Sequence, residues 1–377
     1  MTSQLAFEAI AEATPGAKWK RRWDLSWPAY EAWFLRNGGE AGPSRAECDA
    51  AVKRHMPELV GTHARLTELT GGGGRAARFL SGWCPPAYLS GCSIAAQTSG
   101  GKVSLVRNYD LSPDLNEGLL LRSEWRRPVM GMVEFLWGLS DGINDAGLSI
   151  ALAYGGRKEV RRGFGITMIV RYLLETCESV AEALDRLKGI PSHMAYNLVL
   201  ADATGQVASV ELFPGGGFRE MPAAVATNHQ QGAPRTDRDR ANRTVERRAY
   251  LETLLESDAP PNAMSRAFLS EPLFQRDFAG GFGTLFTAEY TPAHKGLTLL
   301  WQGQTWSQKL SDFEEGQRLI VYDSDVNAIY FADWSYWEAR AHSNWQLAGQ
   351  EIAQQWTSAT TRCAAAGYGG GYFPYCV

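Results

Sequence analysis

The sequence predicts a layered α+β fold built on antiparallel sheets. Two blocks of short β-like runs, at 92–154 and 195–228, flank the clearest helical pattern of the chain, at 165–187. More strand-like runs follow a further helix at 242–256, and no stretch repeats at a solenoid period.

Taken in order, residues 1–70 read as mostly helical. Leu5, Ala6, Ala9, Ile10 and Ala13 make one stripe, and 45–70 is a long amphipathic run. Gly71 to Gly74 break it; with no Lys-Ser/Thr behind them they read as a linker, not a phosphate loop. The Pro-Pro segment at 81–91 is loop chemistry. Strands are expected at 92–97, 102–108, 118–123, 130–139 and 148–154, then at 195–202 and 207–212 about a Thr204-Gly205 turn, and at 223–228. The last are at 283–288, 297–302 and 318–323. The predicted boundaries are a helical segment at 1–91, a catalytic domain at 92–330 and an aromatic- and Gly-rich extension at 331–377.

Composition narrows the function. The 377 residues are 45% hydrophobic and 21% charged, and 37 basic against 41 acidic residues give a net charge of −4. This is globular composition without a positive field for nucleic acid. The basic and aromatic KWKRRW stretch at 18–23 is one short patch, better read as a solvated face or an intramolecular contact. No apolar run has the ~20 residues that span a membrane, and the N-terminus does not read as a secretory signal. A cytoplasmic protein with mostly free thiols is expected, although Cys363 and Cys376 would be candidates to pair in an oxidising compartment. The six histidines lack metal-site spacing, so neither a metal nor a cofactor is expected.

Cys92 stands out. It opens a strand after a Pro/Gly loop, and Arg107 and Asp110 end the next one. A hairpin of that length brings its far end back beside Cys92, and a guanidinium and a carboxylate there would favour and orient a thiolate. The Arg-rich stretch 235–248 suggests an arginine turned inward to hold a carboxylate. Spacing does not choose among its six arginines.

GCS at 91–93, RNYD at 107–110, GINDAGLSIAL at 142–152, NLVLADATGQVASVEL at 197–212, ATNH at 226–229 and TVERRAYL at 244–251 occur in an order that carries a family resemblance. The chain resembles the acyl-CoA:6-aminopenicillanate (isopenicillin N) acyltransferase family, related to choloylglycine hydrolases and penicillin V acylases within the N-terminal-nucleophile (Ntn) hydrolases. The resemblance implies a four-layer αββα sandwich that cuts itself between Gly91 and Cys92. It implies Cys92 as nucleophile with its new α-amino group as base, and Arg107 and Asp110 as positioning residues. Asn144 and Asn228 match the family's asparagines, and its late arginine matches best at Arg247. The expected partners are a small-molecule amide or acyl donor and acceptor, with acyl-CoA compatible as co-substrate. The two cleaved chains should stay associated, and a homo-oligomer is compatible. A strictly acyl-CoA-dependent N-acyltransferase and a non-catalytic Ntn-fold binding protein are the rival readings.

Overall fold

The computed structural model describes residues 2–88, 91–234, 241–257, 263–278 and 282–323. The 331–377 extension, with Cys363 and Cys376, lies outside the described residues. No helix among the described residues is long and apolar enough to cross a membrane.

Strand β1 (Thr2–Glu12) comes first, then helices α1 (Ala17–Arg36), α2 (Arg45–His55), α3 (Val60–Leu69) and α4 (Gly74–Ser81). Strands β2 (Gly91–Ser99), β3 (Lys102–Leu111), β4 (Leu119–Ser123), β5 (Val129–Glu134), β6 (Gly138–Asn144) and β7 (Ser149–Tyr154) follow. After α5 (Ile166–Thr176) and α6 (Val180–Leu187) come β8 (Tyr196–Ala201), β9 (Val207–Leu212), β10 (Phe218–Met221) and β11 (Val225–Ala226). Helices α7 (Thr244–Glu256) and α8 (Ala263–Phe268) precede β12 (Arg276–Asp277), β13 (Phe282–Thr291), β14 (Gly296–Trp301), β15 (Gln304–Lys309) and β16 (Gly316–Asp323).

The strands form two sheets. One runs β10-β9-β8-β7-β6-β5-β4-β1-β16; the other runs β11-β2-β3-β13-β14-β15, with β12 paired to β13. All pairings are antiparallel except β1 with β4. The sheets meet face to face through β2 and β3 against β7 and β8. Helix α5 covers β6 and β7 on one outside face, and α7 and α8 cover β2, β3 and β11 on the other. The architecture is the αββα sandwich.

Three expectations at the level of elements need correction. Thr2–Glu12 are a strand, not a helix. Alanine at 6, 9 and 11 suits either period, but β4 and β16 hydrogen-bond both edges of β1, and Phe7 is fully buried. The 165–187 helix is two helices, broken at Cys177, with the Ser179 side chain accepting from the Glu182 N–H at the start of α6. The 130–139 strand is two, turned at Phe135 and Leu136, both left-handed. The KWKRRW stretch sits in α1 with Trp19 and Trp23 buried, while Lys20 pairs with Asp24 and Arg22 with Glu8.

Strand alternation gives the two faces of the β2–β3 hairpin different neighbours. Cys92, Ile94, Ala96, Leu105 and Tyr109 join the core between the sheets. Ala95 and Val106 join a smaller cluster with Leu251 of α7 and Phe268 of α8. The site is divided along the same line.

Candidate active site

In the β2–β3 register Cys92 faces Tyr109 and Gly91 faces Asp110, so the hairpin brings Arg107 and Asp110 back as the sequence predicts. Cys92 is fully buried. Arg107 Nη2 donates to its Sγ at 3.3 Å. The Cys92 N–H donates to Asn228 Oδ1 at 3.0 Å, and Arg247 Nη1 donates to the Cys92 carbonyl oxygen at 2.8 Å. Each polar part of this residue is therefore met by a different buried side chain.

Arg107 and Asp110, however, are not partners. Three positions apart on one strand, they point to opposite faces. Arg107 points between the sheets, where Nη1 lies 3.3 Å from Asp141 Oδ1 of β6 and donates to Ser140 Oγ at 3.0 Å. Its Cζ sits 4.3 Å from the Tyr109 ring centroid. Burial works against the Arg107 charge, yet Cys92, Asp141, Tyr109 and Glu134 outweigh it and raise the guanidinium pKa. Asp110 points toward α7; its Oδ1 accepts from Thr284 Oγ1 at 2.7 Å and its Oδ2 lies 3.5 Å from Arg247 Nη1. Burial pushes the Asp110 carboxyl up, against the pull of Arg247, Thr284 and Arg107.

Arg247 belongs to the cluster around Cys92. It is fully buried, and besides Cys92 it donates to Ser93 Oγ at 2.7 Å, Asn228 Oδ1 at 2.9 Å and the Asn242 carbonyl at 2.9 Å. The protein itself uses its fork of donors. Arg243 is exposed and paired with Glu246. Arg248 faces a cavity of about 340 Å³ beside the Asn228 segment, lined also by Gly155, Gly156, His229, Gln230 and Glu252.

Asn228 accepts from both Cys92 N–H and Arg247, which fixes its amide with Nδ2 turned to the Tyr154 carbonyl at 3.4 Å. Asn144 is not brought to this cluster. Its Nδ2 donates to the carbonyls of Leu174 and Cys177 at 2.9 and 2.7 Å, and its Oδ1 accepts from the N–H groups of Ala146 and Leu148. It ties the β6–β7 turn to the C-terminal end of α5. Gly91 is needed for space: a Cβ there would lie 2.2 Å from Phe282 Cε2 and 2.9 Å from Asp110 Cβ.

Sequence reasoning missed Asp141, Ser140, Glu134 and Thr284. The signal for Asp141 was present, a carboxylate inside the otherwise apolar and small GLSDGI run.

Residues 97–306, more than half of the chain, match the family model of acyl-coenzyme A:6-aminopenicillanic acid acyl-transferase. The chain belongs to that family. The matched region of this acyl-transferase family member contains Arg107, Asp110, Asn144, Asn228 and Arg247, and starts just after Cys92. Its two sheets lie between helical layers as an αββα sandwich, and the family is one of acyl-transferases. Solved structures overlap it more loosely. A mutant conjugated bile acid hydrolase from Clostridium perfringens is 13% identical, over 65% of this chain and 97% of that one, with a TM-score of 0.41. Penicillin V acylase from Agrobacterium tumefaciens is 18% identical, over 64% and 94%, with a TM-score of 0.41. A Caenorhabditis elegans ortholog of N-acylethanolamine-hydrolyzing acid amidase is 17% identical, over 54% and 93%, with a TM-score of 0.39. No curated protein matches the sequence.

Proposed function

We propose that this chain matures by cutting its own Gly91–Cys92 bond and then makes or breaks a non-peptide amide through an acyl-Cys92 thioester. One observation carries the reading: the Sγ, N–H and carbonyl of Cys92 are held by Arg107, Asn228 and Arg247 respectively. A buried cysteine kept only for packing needs no guanidinium at its sulfur.

In maturation, Sγ attacks the Gly91 carbonyl carbon. The C–N bond to Cys92 breaks, a thioester joins Gly91 to Sγ, and the thiol proton ends on the released α-amino group. Water then cleaves the thioester, leaving a Gly91 carboxylate and a free Cys92 thiol. In turnover the α-amino group, with an ordinary pKa near ~8, takes the thiol proton as Sγ attacks the substrate carbonyl. It passes that proton to the leaving amine. Water or an amine discharges the acyl group, which is the whole difference between hydrolase and transferase. Arg107 favours the thiolate. Asn228 Nδ2 is the candidate donor to the developing oxyanion, a role that contributes roughly 3–4 kcal/mol elsewhere. No cofactor enters this sequence of steps; acyl-CoA would be an acyl donor.

The test is an intact mass spectrum. The 41.5 kDa chain should divide, in proportion to residues before and after the cut, into pieces of roughly 10 and 31 kDa. Edman sequencing of the larger piece should read Cys-Ser-Ile-Ala, and Cys92→Ala should stay whole and inactive. A wild-type protein that is active as one uncut chain overturns the reading.

A further inference from the structure

We propose that Asp141 is a positioning residue for Cys92, acting through Arg107, and that Glu134 adds to the same buried field. The proposal rests on Cys92 being the nucleophile.

The geometry is a brace across the two sheets. Ser140 Oγ accepts from Arg107 Nη1 at 3.0 Å and donates to Asp141 Oδ1 at 2.9 Å, while Nη1 lies 3.3 Å from that same Oδ1. One side of the guanidinium is thus fixed from β6, and Nη2 is left to meet Sγ at 3.3 Å. The Tyr109 ring closes the flat side. Glu134, at the end of β5, lies close to Tyr109 and Arg107 and acts on both electrostatically.

The groups facing Arg107 are Cys92 of β2, Tyr109 of β3, Glu134 of β5 and Asp141 of β6, with Asp110 acting from the far face of β3. Tyr290 of β13 faces Asp141, and Glu117 faces Glu134. Burial pushes the Asp141 carboxyl up and that of Glu134 up to about 7, although Arg107 pulls both down. Arg107 Nε, Asp141 Oδ2 and Glu134 Oε1 are buried without a hydrogen-bond partner among the described residues. Buried charge so incompletely satisfied is poor value for stability, since apolar replacements of such pairs are often neutral or better. Its evident use is at the sulfur.

The signs follow. Asp141 holds the cation that favours a thiolate, and its own anion opposes that thiolate. Asp141→Asn keeps an oxygen for Nη1 and Ser140 but removes the anion, so thiolate formation moves to lower pH. Asp141→Ala removes the brace as well.

The experiment follows iodoacetamide alkylation of Cys92 against pH in the processed protein, read by peptide mass spectrometry, with self-cleavage and thermal unfolding measured beside it. Asp141→Asn should lower the alkylation midpoint by about one pH unit. Glu134→Gln should lower it less, with the change confined to the range above about pH 7 where Glu134 is ionised. Asp141→Ala should slow self-cleavage at least tenfold. A merely structural role would lower the unfolding temperature and leave the midpoint at its wild-type value, and that result in both Asp141→Asn and Glu134→Gln overturns the proposal. Should Asp141→Asn fail to fold, Glu134→Gln decides alone. Wild-type protein that neither cuts at Gly91–Cys92 nor alkylates at Cys92 sinks the nucleophile reading, and the proposal with it.

Discussion

Arg247 Nη1 lies 2.8 Å from the carbonyl oxygen of Cys92, so an α7 side chain grips the residue after Gly91 by its backbone. The same nitrogen reaches Ser93 Oγ and approaches Asp110, while Nη2 reaches Asn228. One guanidinium thereby joins β2, β3, α7 and the segment after β11.

Replacing Arg247 with lysine should therefore harm maturation. A single, shorter ammonium cannot meet Cys92 O, Ser93 and Asn228 together. Losing a hydrogen bond from a charged group to a buried acceptor costs about 1.5–3 kcal/mol. Urea denaturation should show a loss on that scale, and an intact-mass time course should show slow cutting. Arg247→Lys protein that cuts at the wild-type rate would return this arginine to the substrate pocket.

Gly91→Ala should block or greatly slow cleavage, because its methyl would sit 2.2 Å from Phe282 Cε2. Overpacking of this kind costs about 1–3 kcal/mol, and here it displaces the scissile carbonyl. Phe282→Leu in the same chain should recover cleavage by making room. A double variant no faster than Gly91→Ala alone would show that the glycine matters for some reason other than this ring.

These two cases mark how far the sequence could be read. The β2–β3 hairpin was legible because its strands are adjacent in sequence and closed by Gly100 and Gly101, both left-handed. The pairing of Arg107 was not. Arg107 and Asp110 are three residues apart, so the two-residue strand period sends their side chains to opposite faces, and the ion-pair partner Asp141 arrives from the other sheet. Sheet-on-sheet contacts leave no local trace in a sequence. Strand β1 was hidden for a related reason: its alanines fit a helix, and only two neighbours far along the chain make it a strand.

Asn144→Ala should destabilise the fold without altering the chemistry. Its side chain bonds the Leu174 and Cys177 carbonyls and two turn N–H groups, none of them near Sγ in the hydrogen-bond network. Leaving such groups unpaired costs about 2–3 kcal/mol. Thermal unfolding should report that loss, while the cleavage rate per folded molecule stays at the wild-type value. A selective fall in cleavage, with stability unchanged, would restore Asn144 to the catalytic set.

The segment before the proposed Gly91–Cys92 cut should stay bound after cleavage. Residues 1–91 carry β1, which pairs with β16 from Thr2 to Ala9 and with β4 from Glu8 to Glu12. Phe7 packs edge-on against Phe286 and Trp301, with ring centroids 5.8 and 5.1 Å away. Trp19 and Trp23 of α1 are buried as well, and Trp19 Nε1 donates to the Leu136 carbonyl at 3.0 Å. Withdrawing this piece would split the nine-stranded sheet, bare the edges of β4 and β16, and expose a row of aromatic rings. The two products should co-elute in size-exclusion chromatography and separate only in denaturant. Residues 92–377 expressed alone should aggregate, and co-expression with 1–91 should recover soluble, active protein. A soluble and active 92–377 chain by itself would mean that the N-terminal piece is a removable pro-segment, and that β4 can pair with β16 directly once β1 is gone.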